Sequence, residues 1–123
     1  MGVQMKRFAV ELGMGVDLHG QDVTKAAQRA VRNAIERTSL PGLRQVAGLA
    51  DASEMIVEVL VAVPRPDEVD ADAVLAVLPF GRKTLRLEHG GMLGPSGVVI
   101  PELGDRSDEI VVANACVIVS VPD

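Results

Sequence analysis

Polar and apolar residues alternate from Lys6 to Leu12. Phe8, Val10 and Leu12 fall on one face, Ala9 and Glu11 on the other. A period of two predicts a half-buried strand, with Gly13 and Gly15 ending it. From Asp22, whose side chain suits a helix N-cap, the period lengthens. Val23, Ala27, Ala30, Val31, Ala34 and Ile35 make an apolar stripe down one side of a helix reaching about Thr38. Lys25, Gln28, Arg29, Arg32, Asn33, Glu36 and Arg37 make its polar face. A stripe this rich in alanine can lie close on a sheet. Pro41-Gly42 stops the helix, and Leu43 to Ser53 is a connector.

Glu54 to Val63 is apolar on both faces except at Glu58, the mark of a mostly buried strand. Pro64-Arg65-Pro66 ends it. Asp67 to Asp72 is an acidic helix start, with Asp70 as a candidate cap and acidic residues at the positive end of the helix dipole. Val69, Ala73, Val74, Val77 and Leu78 give that helix its apolar side. Arg82 to Glu88 alternates again, and the glycine-rich stretch His89 to Gly97 follows. Leu103 to Glu109 reads as a polar turn before Ile110 to Val121, the most apolar strand. The predicted fold is α+β: a β-α-β-α-β-β two-layer sandwich, residues 1–123 as a single domain, with both helices on one face of one sheet. The other face is then apolar and uncovered, which predicts a ring-like homo-oligomer, a trimer before a dimer.

Composition narrows the function. The 123 residues are 48% hydrophobic, yet there is no Trp or Tyr and only two Phe, so bases have little to stack on. A formal charge of −5 also argues against a phosphate-backbone partner, and no nucleic acid is expected. A mean hydropathy of +0.27 is high for a small soluble domain and adds to the case for a covered face. The longest apolar run is too short for a membrane span, no signal peptide is visible, and the single Cys116 suits a reducing compartment. A cytoplasmic protein without a membrane partner is expected. Cys116, in mid-strand, reads as an inert core thiol.

The chemistry concentrates in residues 11–20, Glu-Leu-Gly-Met-Gly-Val-Asp-Leu-His-Gly. Gly13, Gly15 and Gly20 are candidate ligand-binding positions because glycine lets a ligand approach the backbone. The dinucleotide fingerprint fails: its third glycine falls at Leu18. Asp17 and His19, two apart in an extended segment, point the same way. They can act as orienter and general base, or as two metal ligands. They can also simply bond the loop and pack on the helix. Glu88-His89-Gly90-Gly91 repeats the theme, a strand ending in histidine and glycines, and a bulged hairpin would explain it equally. His89 is a third candidate catalytic residue. Gly90, Gly91 and Ser96 are candidate ligand contacts, although Ser96 lacks the Gly-x-Ser-x-Gly register. His19, His89 and Asp17 are the residues that can supply three zinc ligands. The spacing names neither metal nor cofactor.

Gly13-Met14-Gly15-Val16-Asp17-Leu18-His19-Gly20 resembles the Gly-x-Gly-x-Asp-x-His-Gly signature of a small family of conserved hypothetical bacterial proteins. The similarity runs from Arg7 to Val121 and includes Leu78-Pro79-Phe80-Gly81. The element order is also similar to chorismate-mutase-like and YjgF-like trimers, which bind small molecules between subunits. More distantly it resembles one third of the toblerone fold of cyanuric acid hydrolase and barbiturase. Those enzymes set serine–lysine pairs around a central site, and this sequence has no matching serine-glycine-glycine motif. The resemblance implies a homotrimer binding a small polar molecule at subunit interfaces through residues 11–20. The alternative is an amidohydrolase-like enzyme acting on a cyclic amide at an inter-subunit site.

Overall fold

The most apolar stretch of the chain takes the middle of the sheet. In the computed structural model, which describes residues 4–123, the elements run β1 (Met5–Asp17), α1 (Val23–Glu36), α2 (Gly42–Gln45), β2 (Ile56–Val63), α3 (Ala71–Leu75), β3 (Arg82–His89), β4 (Met92–Pro95) and β5 (Glu109–Pro122). The strand order is β1-β5-β2-β3, with β4 also paired to β5. β1 and β2 flank β5 antiparallel, and β3 lies parallel to β2. β4 pairs with Glu109 to Val112 of β5, beyond the reach of β2. This is the expected two-layer α+β sandwich, with a short fourth strand and the one-turn helix α2 added.

α1 and α3 pack together on one face of the sheet. Val57, Val59, Val61 and Val63 of β2 and the alternate residues Val111 to Val119 of β5 meet Val23, Ala26, Ala27, Ala30, Val31 and Ala34 of α1 in the core. Asp22 caps α1 by accepting from the Lys25 amide, and Asp70 caps α3 by accepting from the Ala73 amide. Both caps match the expectation from sequence.

β1 departs from it. The strand does not stop at Leu12 but runs through Gly13 and Gly15 to Asp17. Its covered face carries Ala9, Glu11, Gly13, Gly15 and Asp17, while Val10, Leu12 and Met14 stand more than half exposed on the bare side. The reason is the closeness of α1. A Cβ on Gly13 would overlap the Ala30 carbonyl and the Ala34 amide, and one on Gly15 would overlap the Ala26 carbonyl and the Ala30 amide. Neither glycine has a positive φ. They are required by a backbone-to-backbone contact, not by a special turn.

α1 also covers the free edge of β1. Arg29 donates to the Val16 carbonyl at 2.7 Å, Asn33 accepts from the Met14 amide at 3.0 Å, and Arg37 donates to the Leu12 carbonyl. Four helical residues rise about 6 Å and two strand residues about 6.8 Å. Side chains spaced by four therefore keep step with strand residues spaced by two. An edge strand left open is a template for pairing with another chain, and here a helix closes it.

Two further sequence readings change, those of Cys116 and of Gly90-Gly91. Cys116 is half-buried, on the bare face, and its register partner is Leu12. Asn114 is exposed on that face, level with Met14. Gly90-Gly91 is not a hairpin: the chain passes from β3 across the end of β2 to reach β5. A Cβ on Gly91, at φ +65, would overlap the Val112 carbonyl.

The glycine contact gives a direct test. Gly15→Val should destabilise the fold by about 3 kcal/mol or more, since overpacking against backbone cannot be relieved by a rotamer change. Gly94→Ala, which meets only Ile110 at 3.9 Å, should stay within about 0.5 kcal/mol. Denaturant unfolding of both variants checks this, and equal stabilities would remove the proposed role of Gly15.

Candidate functional site

The turn between β1 and α1 has only Leu18 to Asp22 in which to reverse the chain. Asp17, the last residue of β1, starts the reversal. Its Oδ2 accepts from the Asp22 amide at 2.8 Å, and its Oδ1 accepts from Arg29 at 3.2 Å. Asp17 is buried and fully engaged in this way, and it does not touch His19. Gly20 and Gln21 then both take left-handed angles, φ +95 and +51. Glycine adopts that region freely. For Gln21 it costs about 1 kcal/mol or more, offset by hydrogen bonds to the far loop.

That loop, between β4 and β5, brings in Asp105. Its side chain is only 1% exposed. Oδ1 accepts from the Gly20 amide at 2.7 Å and from Gln21 Nε2 at 3.2 Å. Oδ2 accepts from His19 Nδ1 at 2.8 Å and from the Ile100 amide at 2.9 Å. A buried carboxylate needs such a set of donors to remain charged. The donors, His19 first, hold the Asp105 carboxyl well below the usual carboxylate range. An ionised carboxylate can only accept, so the proton between the two groups belongs to His19 Nδ1. Nε2 has no partner among the described residues, on a ring whose side chain is 33% exposed.

Gln21 ties the same loop a second time. Its Nε2 also donates to the Ser107 and Glu109 carbonyls, at 3.2 and 2.9 Å, and its Oε1 accepts from the Arg106 amide at 2.9 Å. Gln21 lines a cleft of about 330 Å³ with Arg65, Glu68, Arg106, Ser107 and Glu109. Arg65 reaches it from the end of β2 and is the other non-glycine residue with positive φ, +50. Its guanidinium meets Glu68 at 3.0 Å and Glu109 at 3.9 Å. Arg106 is exposed and makes no ion pair among the described residues.

Of the residues expected from sequence, Asp17, His19 and Gly20 meet in this turn. Gly13 and Gly15 lie along β1 beneath α1. His89 ends β3, three strands from β1, or about 14 Å at ordinary strand spacing, while Gly90 lies against Ala62 of β2 and Gly91 against Val112 of β5. Ser96 bonds within its own turn, to the carbonyl and amide of Val98. No group of three or more His, Cys, Asp or Glu residues suited to a metal exists among the described residues, so His19, His89 and Asp17 do not form a zinc set within one chain. Asp105 and Gln21 were missed. Asp105 lay in a stretch read only as a polar turn, and Gln21 carried no signal beyond following the signature. No helix among the described residues is long and apolar enough to cross a membrane.

Residues 7–119 match the model of a family described as conserved hypothetical protein (Lin0512_fam). A crystal structure of an FtsZ-like protein of unknown function from Nostoc punctiforme is 54% identical, covers 99% of this chain and 100% of its own, and superimposes with a TM-score of 0.88. No curated protein matches the chain.

The buried carboxylate sets a pH signature. Its folded-state pKa is depressed, so its stabilising effect is complete above the unfolded value near 3.9 and fades as the pH falls toward the folded one. Asp105→Asn should melt below wild type from pH 5 to 7, and the gap should narrow steadily below about pH 4. Thermal melts across that range check it; a gap that is absent at pH 7, or that widens in acid, would contradict the assignment.

Proposed function

The chain belongs to the Lin0512 family of conserved hypothetical proteins, and from its geometry we propose a homotrimer that binds a small polar molecule carrying an anionic group. The observation that carries this reading is the convergence on Asp105. One buried carboxylate fixes a strained turn and a distant loop together, and His19 Nε2 and the Arg106 guanidinium have no protein partner among the described residues. Strained backbone at two residues of one cleft, Gln21 and Arg65, persists only where the surroundings enforce it, and such residues cluster at functional sites. Arginine is suited to carboxylate or phosphate recognition. The residues held from sequence narrow to Asp17, His19 and Gly20, joined by Gln21, Asp105 and Arg106. A reducing, cytoplasmic setting fits the half-buried, unpaired Cys116.

The bare sheet face supports the oligomer. On its β1 and β4 side Val10, Leu12, Met14 and Met92 are each more than half exposed, bordered by the exposed Asn114, Glu58, Thr84 and Arg86 of β5, β2 and β3, and an apolar patch with a polar border marks an interaction surface. Because α1 occupies the β1 edge, face-to-face packing is the route left on that side. The choice of a trimer rests on the resemblance to chorismate-mutase-like trimers.

A second reading is hydrolysis of a cyclic amide at the subunit interface. It is favoured by the His19–Asp105 pair, since an imidazole held through Nδ1 and open at Nε2 has the arrangement of a general base. Ser96 is bonded locally and the Ser107 hydroxyl is engaged with Glu109. Water is therefore the nucleophile this reading requires.

Thermal shifts with inorganic phosphate, small carboxylates, cyclic imides and ureas test the site. A ligand of the folded state at a hundredfold excess over its Kd should add about 2.7 kcal/mol. Arg106→Ala should change unliganded stability by within about 0.5 kcal/mol and abolish the shift. Equal shifts in wild type and variant would reject the cleft. Consumption of a cyclic imide by wild type but not by His19→Ala would favour the second reading.

Sedimentation should give three times the 12.9 kDa chain mass. Leu12→Glu combined with Met14→Glu should give a folded monomer. A wild-type monomer would contradict the assembly.

A further inference from the structure

Glu11 stands on the helix-covered face of β1, six residues and about 20 Å from Asp17. It is 8% exposed and makes no ion pair among the described residues. It lines a cavity of about 310 Å³ whose other walls are mainly apolar, among them Leu40, Leu43, Met55, Phe80, Val117 and Val119. Thr38 is the one other polar side chain in the lining. A single carboxyl set in an apolar wall with no basic neighbour in the lining needs a reason, because removing it from water works against folding.

The cavity also lies at the C-terminal end of α1, to which Ile35 and Thr38 belong or adjoin. This is the negative end of a 14-residue helix, and it favours a cation. No basic residue occupies the last turn of α1. The following Arg37 answers part of this end, donating to the Asn33 carbonyl, one of the last four of α1, and to the Leu12 carbonyl, but it makes no ion pair with Glu11 among the described residues. The Glu11 carboxylate thus makes an electronegative spot in an oily pocket whose lining holds no basic side chain. Burial pushes the Glu11 carboxyl up from its ordinary value, and Thr38 partly restrains the shift. A ligand ammonium would reverse that effect.

We infer that this cavity is a second site, separate from the Asp105 cleft, that takes a small amine: a protonated nitrogen on Glu11 and an aliphatic or aromatic body against Leu43, Met55 and Val117. At about 30 Å³ per heavy-atom group, as for water in the liquid, the seven heavy atoms of n-hexylamine need about 210 Å³. That fits within the cavity.

Titration of n-hexylamine and n-hexanol, followed by methyl NMR at neutral pH, tests the inference. In wild type both should shift the Leu43, Val117 and Val119 methyls, with the amine binding about tenfold more tightly, as a charge-assisted hydrogen bond implies. Glu11→Gln should bring the amine's affinity down to that of the alcohol. Leu43→Trp should block both by filling the cavity. The wild-type comparison of amine with alcohol needs no variant. Equal affinities there, undiminished amine binding in Glu11→Gln, or methyl shifts confined to other regions would overturn the assignment.

Discussion

The contact between α1 and β1 is the constraint from which the rest of the structure follows. Gly13 and Gly15 remove the Cβ atoms that would hold the helix off, and Ala26, Ala30 and Ala34 present little more than backbone in return. At that separation Arg29, Asn33 and Arg37 can bend over the strand edge and bond Val16, Met14 and Leu12. A bulkier residue at either glycine would lift the helix and break these edge bonds as well. The helix therefore acts on the strand twice, as a lid on its inner face and as a cover for its edge. The side it leaves bare, Val10, Leu12 and Met14, is the side available to another subunit.

The same contact sets the site. With α1 pressed onto β1, the chain must leave the strand at Asp17 and re-enter the helix at Val23 within five residues. The turn is tight enough to force Gln21 into a left-handed conformation, and by itself it would not hold. Asp17 and Arg29 brace it from the helix side. Asp105, with Gln21, braces it from the loop before β5. Polar groups that satisfy one another this completely make a rigid unit. A rigid unit that leaves one ring nitrogen and one guanidinium unused is suited to a ligand. The Glu11 cavity lies at the other end of the same helix, so both sites are defined by where α1 begins and ends.

Most of the fold was legible because its signals are local. Nearly continuous apolar runs locate β2 and β5, alternation locates β3, and the alanine stripe and the Asp22 and Asp70 caps locate the helices. β1 was misread for a physical reason. Its glycines read as the end of a strand and the start of a ligand loop, since glycine usually marks a turn. Here they mark close packing, and the partner that requires it is up to twenty-one residues away. The site was half legible. Asp17, His19 and Gly20 carried a recognisable spacing, but the partner of His19 lies 86 positions along the chain. No local pattern couples His19 to Asp105, and only the fold shows that the carboxylate holding the imidazole is not the nearby Asp17.

Long-range ¹H–¹⁵N NMR of the imidazole reads out whether buried Asp105 fixes His19 in one tautomer with Nε2 outward. In the neutral form of the ring, Nδ1 should carry a slowly exchanging proton bonded to Asp105, and Nε2 should be unprotonated and open to solvent. A neutral ring protonated at Nε2, or an Nδ1 proton in fast exchange with water, would contradict that pairing.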